Sequence, residues 1–146
     1  MAGRWRDGRG RLLVPGGAGD GAGEDHGEAG ATAVTVPLEL ATSYRARTRG
    51  LLGRDAVDGA LLLSPAGSIH TFGMRIPIDV AYLDRGLRVL AVVTMRPGRL
   101  GRPRLRSRHV LEAAAGAMAR WGVRAGVRVT VEADLPAGGP GLVHPD

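Results

Sequence analysis

His70-Thr71-Phe72-Gly73-Met74-Arg75-Ile76-Pro77-Ile78-Asp79-Val80-Ala81-Tyr82-Leu83-Asp84 joins the clearest strand pattern of the chain to ionisable and aromatic groups. Side chains of an extended backbone alternate between faces. Ile76, Ile78, Val80 and Tyr82 therefore share one face, and Pro77, Asp79, Ala81 and Leu83 the other. The pattern predicts a strand over 75–83, with Asp79 in its middle, where a carboxylate without partners is costly. His70, Phe72 and Met74 lead in with the same alternation, which predicts another strand over 69–74.

Working outward, Asp84-Arg85-Gly86 reads as a hairpin turn into a strand over 87–95. Leu87, Val89, Ala91 and Val93 alternate there with Arg88, Leu90, Val92 and Thr94. Both faces are largely apolar, which predicts a central strand. Upstream, 64–68 is a turn with Pro65 and Gly67, and 57–63 a strand opened by Asp58-Gly59. Val34, Val36, Leu38 and Leu40 share a face over 32–40, where Pro37 points to a sheet edge or a strand end. Thr42 or Ser43 caps a helix running to about Leu52, with Gly53 as its left-handed C-terminal cap. Trp5 to Val14 reads as a first strand with a turn at Asp7-Gly8. Downstream, a strand built on Val110-Leu111-Glu112 ends near Gly116. A helical turn Ala117 to Trp121 follows, capped by Gly122, then a last strand over 127–133. Strands at this spacing predict a mostly β fold, a jelly-roll-like sandwich or distorted barrel with one or two short helices.

The organisation is a strand segment at 1–14, a Gly- and acid-rich flexible loop at 15–31, a β domain at 32–133 and a disordered tail at 134–146. The loop carries Asp20, Glu24, Asp25 and Glu28 with almost nothing apolar to offset its ordering entropy. A chain of 146 residues buries a core without metals or disulfides. The absence of cysteine excludes a thiol nucleophile and cysteine-ligated zinc. No apolar run approaches the roughly 18 residues of a membrane-spanning helix, and no hydrophobic signal segment follows the N-terminal arginines, so a cytoplasmic location is the expectation. The net charge of +6 rests on 20 arginines with no lysine, asparagine or glutamine, as a GC-rich coding bias produces.

Several motifs recur in a fixed order: Arg45-x-x-x-Arg49-Gly50-Leu51-Leu52-Gly53-Arg54, Gly59-Ala60-Leu61-Leu62-Leu63, Phe72-x-Met74-x-x-Pro77-Ile78-Asp79-Val80, His109-Val110-Leu111-Glu112 with Gly116, and Gly122-Val123-x-x-Gly126. In order and spacing they resemble the bacterial and archaeal domain of unknown function 192 family, in an actinobacterial-type version, over Val34 to Glu132. The resemblance implies a compact, mostly β fold of jelly-roll or distorted-barrel type, and no particular activity. Family members often carry Trp before the Met and Lys-Asn after it, where this chain has Gly73 and Arg75. Many also carry a signal peptide or membrane anchor.

Asp79 and Glu112 are the carboxylates embedded in apolar strands, and Arg45 and Arg49 lie on the helix. One reading pairs them: an Arg49–Glu112 or Arg49–Asp79 ion pair pins the helix to the sheet. The other gathers Arg49, His70, Phe72, Met74, Asp79 and Glu112 around one pocket, with Arg49 clamping an anionic ligand and Phe72 and Met74 as an apolar wall. His70, Asp79 and Glu112 are then the groups for acid–base or metal-assisted hydrolase-like chemistry, with His109 as a further ligand. The paired His-x-His ligands of cupin sites are missing, and no metal or cofactor is expected. The segment 96–108 holds Arg96, Arg99, Arg102, Arg104, Arg106 and Arg108 without an acid. It reads as a solvated connection or as an anion-binding or partner-docking loop. Nucleic-acid binding there is weak and non-specific at best, because no aromatic residues interleave the arginines. The favoured function is a binding or accessory module for a protein partner or an anionic small ligand, rather than an enzyme.

Overall fold

The computed structural model describes residues 5–16 and 33–134. Apart from Pro15, Gly16 and Asp134, the stretches read as a flexible loop (15–31) and a disordered tail (134–146) lie outside the described residues. The elements are β1 (Gly8–Val14), β2 (Val34–Ala41), α1 (Tyr44–Arg49), β3 (Ala60–Leu63), β4 (Ile78–Leu83), β5 (Val89–Met95), β6 (His109–Ala114), α2 (Ala117–Trp121) and β7 (Thr130–Ala133). The fold is mostly β: the described residues form one seven-stranded sheet in the order β5-β4-β6-β3-β2-β1-β7, with two short helices. The pair β2–β3 is parallel and every other neighbouring pair is antiparallel. A parallel pair needs a long crossover, and here it carries α1.

The sheet curls without closing into a barrel. Val89 N–H donates to the Val127 carbonyl (2.8 Å) and Val129 N–H to that of Leu87 (3.0 Å), so the start of β5 meets the segment leading into β7. Inside the curl lies a first core built on Leu12, Leu38, Leu62, Leu83, Leu111 and Met118. A second core covers the other face of the middle strands, with Leu51, Leu61, Ile78, Val80, Tyr82 and Val110. The interior strand β4, next to the edge strand β5, is buried along its whole length, with Ile78, Val80 and Tyr82 in the second core and Ala81 and Leu83 in the first. Each large side chain so buried contributes about 1.5–3 kcal/mol.

Local readings that the fold overrides have identifiable causes. The helix stops at Arg49 rather than Leu52, because Gly50 turns to φ 44° and ends it a turn before Gly53. The segment 69–74 is not a strand. Thr71, fully buried, spends its backbone and hydroxyl on Arg96, Gly98 and Arg99, and Gly73 takes φ 81°, leaving only a bridge between His70 and Leu100. Pro37 lies in an interior strand. Its carbonyl faces Gly59, where an added Cβ would collide with it. Its nitrogen therefore faces a position just before β3 begins, where no ladder donor is needed. Finally β5, expected in the centre, is an edge strand.

Candidate functional site

The motif from Arg45 to Arg54 folds into α1 and a tight loop above the β2–β3 pair. Ser43 Oγ accepts from Ala46 N–H (3.1 Å), the ordinary N-cap bond. Asp7 Oδ1 accepts from the backbone N–H groups of Thr42 (2.6 Å) and Ser43 (2.9 Å), which fixes how the chain enters the helix. The Ser43 hydroxyl and amide, with the Thr42 amide, hold the Asp7 carboxyl down at about 2. Arg47 pins the helix to the body of the protein, donating to the carbonyls of Thr42 (3.3 Å) and Pro65 (3.2 Å). Asp7→Ala is expected to cost about 1 kcal/mol in urea unfolding at pH 7. This carboxylate's contribution is present above pH 3.8 and is lost as the pH falls towards 2, so the wild type and the variant converge in acid.

Between α1, the 50–54 loop and the strands opens a cleft of about 500 Å³, lined among others by Asp7, Glu39, Arg45, Arg49, Arg54 and Leu61. Both acids there are engaged. Asp7 serves the helix start, and Glu39 takes a two-pronged bond from Arg54 at 2.8 and 3.1 Å. The Arg54 guanidinium lowers Glu39 below its ordinary value, and Glu39 raises Arg54 in turn. Arg45 and Arg49, one helical turn apart, meet no carboxylate within ion-pair distance among the described residues.

Behind the cleft wall lies Glu112. In register, Glu39 on β2 faces Leu61 on β3, and Leu61 faces Glu112 on β6, so the three form a row on one side of the sheet. Glu112 is 1% exposed and its Oε1 has no hydrogen-bond partner among the described residues. The Gly50 backbone, part of the cleft wall, covers it: a Cβ at Gly50 would sit 3.8 Å from Oε1. Burial pushes the Glu112 carboxyl up to about 8, with Arg54 opposing. At neutral pH it is mostly protonated, and so a hydrogen-bond donor.

The other candidate residues are not gathered here. Asp79 opposes Ala113 on β6, one residue out of step with Glu112, so the two carboxylates point to opposite faces of the sheet. Neither pairs with Arg45 or Arg49; among the described residues the expected ion pair is absent, and Arg47 does the pinning instead. Asp79 is a buried cap. Oδ1 accepts from the Thr94 hydroxyl (2.6 Å), and Oδ2 from the N–H groups of Gly116 (2.9 Å) and Met118 (3.1 Å), at the start of α2. Met74 is sunk in the second core, while Phe72 is half exposed and stacks on His70 at 5.0 Å. Among the described residues no three His, Asp or Glu side chains converge as a metal requires.

The structure also shows a pair that the sequence reading passed over. Ser64 Oγ lies 2.8 Å from His109 Nδ1, and burial lowers the His109 pKa. Neither residue lines the α1 cleft. The basic segment is largely exposed and tethered at a few points: Thr71 Oγ1 donates to the Arg96 carbonyl and accepts from the Arg99 amide, and the Arg104 guanidinium lies 4.7 Å from the centre of the Tyr82 ring.

Curled sheet and arginine-lined cleft together define a small β-rich domain with a cationic recess backed by a buried acid. The chain belongs to the DUF192 family (uncharacterized ACR), whose model matches residues 26–131. It is similar to UPF0127 protein PH1112 of Pyrococcus horikoshii, 32% identical over 84 residues, spanning 54% of this chain and 73% of the relative. Among solved structures it resembles a "putative transcription regulator" from Sinorhizobium meliloti 1021, with TM-score 0.66 and 20% identity over 88% of this chain and 98% of that one. A protein of unknown function from Novosphingobium aromaticivorans gives TM-score 0.61 and 18% identity over 83% of each chain. These two likenesses show the fold alone. Among the described residues no helix is long and apolar enough to cross a membrane.

Proposed function

We propose that this chain is a binding module for a small anionic ligand seated in the α1 cleft. The observation that carries the reading is a buried carboxyl with an oxygen unpartnered among the described residues, set behind a recess whose helix presents Arg45 and Arg49 with no acid partner among them. An unsatisfied buried oxygen costs about 1–3 kcal/mol, and groups whose titration burial shifts strongly concentrate at functional sites. A guanidinium fork suits a carboxylate or phosphate. Glu112, carrying its proton behind the Gly50 wall, spares the recess the negative charge that would repel an anion. The reading calls on no metal or cofactor.

The test is thermal unfolding at pH 6 with acetate, succinate, citrate, phosphate or pyrophosphate. At least one is expected to stabilise the protein, by about 2.7 kcal/mol at a hundred times its dissociation constant. The double variant Arg45→Ser, Arg49→Ser is expected to lose that response, while its own stability changes by no more than about 0.5 kcal/mol. No response to any of these anions, or a response that survives in the double variant, would contradict the reading.

A further inference from the structure

The strand β5 has the sequence of an interior strand and the position of an edge strand. Ala91 and Leu90 are partly covered by the second core and Val92 by the first, yet β4 is its sole strand neighbour in the sheet among the described residues. Its start is tied to the segment before β7, through Val89 with Gly126 and Val127, whereas 90–95 has no such outer partner among the described residues. Val93 remains 36% exposed. Beside the end of this strand lies a cleft of about 560 Å³, where Val93 and Met95 meet Arg96, Arg99, Arg102 and Arg104, and no acidic side chain among the described residues lines it. An unpaired strand edge is a template for another strand, and edge plus pockets is how extended peptides are recognised.

We infer that the outer edge of β5 receives an extended, acidic segment of a partner protein, which adds a strand at 90–95 and sets its carboxylates against Arg96, Arg99 and Arg102. Charge selects this occupant. A second copy pairing antiparallel through the same edge would set each arginine cluster beside the start of the other copy's β5, where Arg88 and Arg128 lie, and like charges repel. A nucleic acid would find little to stack on within this cleft, whose lining aromatic, Tyr82, is buried and lies against Arg104. The site is separate from the α1 cleft and does not depend on a ligand there.

The experiment uses the full chain, ¹⁵N-labelled, titrated with a blocked peptide alternating valine and glutamate. The peptide alternating valine and lysine and a single-stranded oligothymidylate serve as comparisons. The glutamate peptide is expected to shift and protect the amides of 90–95, to bind more weakly as salt rises, and to bind about tenfold more weakly to the exposed-site variant Arg99→Ser, Arg102→Ser. Three results would each overturn the inference: equal or absent binding of the two peptides, tighter binding of the oligonucleotide at the same arginines, or a dimer that already protects 90–95 without peptide.

Discussion

Between pH 4.5 and pH 8 the unfolding free energy is expected to fall by on the order of 4 kcal/mol through Glu112 alone, and Glu112→Gln to remove that fall. Folding lifts this carboxyl from 4.5 to about 8 by burial. Within that window the folded chain keeps a proton that the unfolded chain releases, so rising pH favours unfolding. Each unit is worth about 1.4 kcal/mol. The contribution is fully present below 4.5 and gone once the pH has passed about 8. His109 acts in the opposite sense. Burial lowers it below 6.5, so its neutral form favours folding, and stability from it grows as the pH rises towards 6.5 and is fully present above that value. Comparing wild type with Glu112→Gln isolates the glutamate. The two should be similarly stable at pH 4.5, and the variant more stable at pH 8. Urea unfolding across this range provides the measurement; parallel curves for the two proteins would exclude a buried, protonated Glu112.

Asp79→Ala is expected to cost about 3–4 kcal/mol at neutral pH, read as a lowered urea midpoint. The carboxylate is 3% exposed and accepts from the Thr94 hydroxyl and from the Gly116 and Met118 amides. Alanine leaves buried donors without an acceptor, each at about 1–3 kcal/mol where water does not reach. Asparagine can keep the pattern, with its oxygen towards the amides and its NH₂ towards the Thr94 hydroxyl, and is expected to cost only about 1 kcal/mol. A loss below 1 kcal/mol in the alanine variant would show that α2 does not depend on this cap. In both variants the binding of anions at the α1 cleft should persist while the fold does, since Asp79 lies on the other face of the sheet.

Much of the fold was legible because burial imposes a period. The alternation through Ile78 to Leu83 and the apolar run Ala60 to Leu63 both became strands, and Gly122 caps α2 at φ 84° as expected. What failed depended on partners distant in sequence. The edge position of β5 is set by which strands pair, and its own apolar faces argued against it. The turn at 69–74 follows from Thr71 bonding to residues 25 or more positions away. The site was half legible. Asp79 and Glu112 stood out as acids among apolar neighbours, but whether they share a face hangs on a one-residue register between β4 and β6. The Glu39–Arg54 pair spans the parallel β2–β3 crossover, and Glu39, the lone acid within its strand, was the available signal.

The central claim is that the arginines of α1 hold an anion in front of a Glu112 that burial keeps protonated. Carbon-detected NMR of the Glu112 carboxyl, titrated with and without the anion that stabilises the protein, tests it most directly. The account predicts a midpoint near pH 8 that moves higher when the anion binds, because a neighbouring negative charge disfavours ionisation, and that stays put in Arg45→Ser, Arg49→Ser. A midpoint near the ordinary 4.5, or one indifferent to the anion, would contradict it.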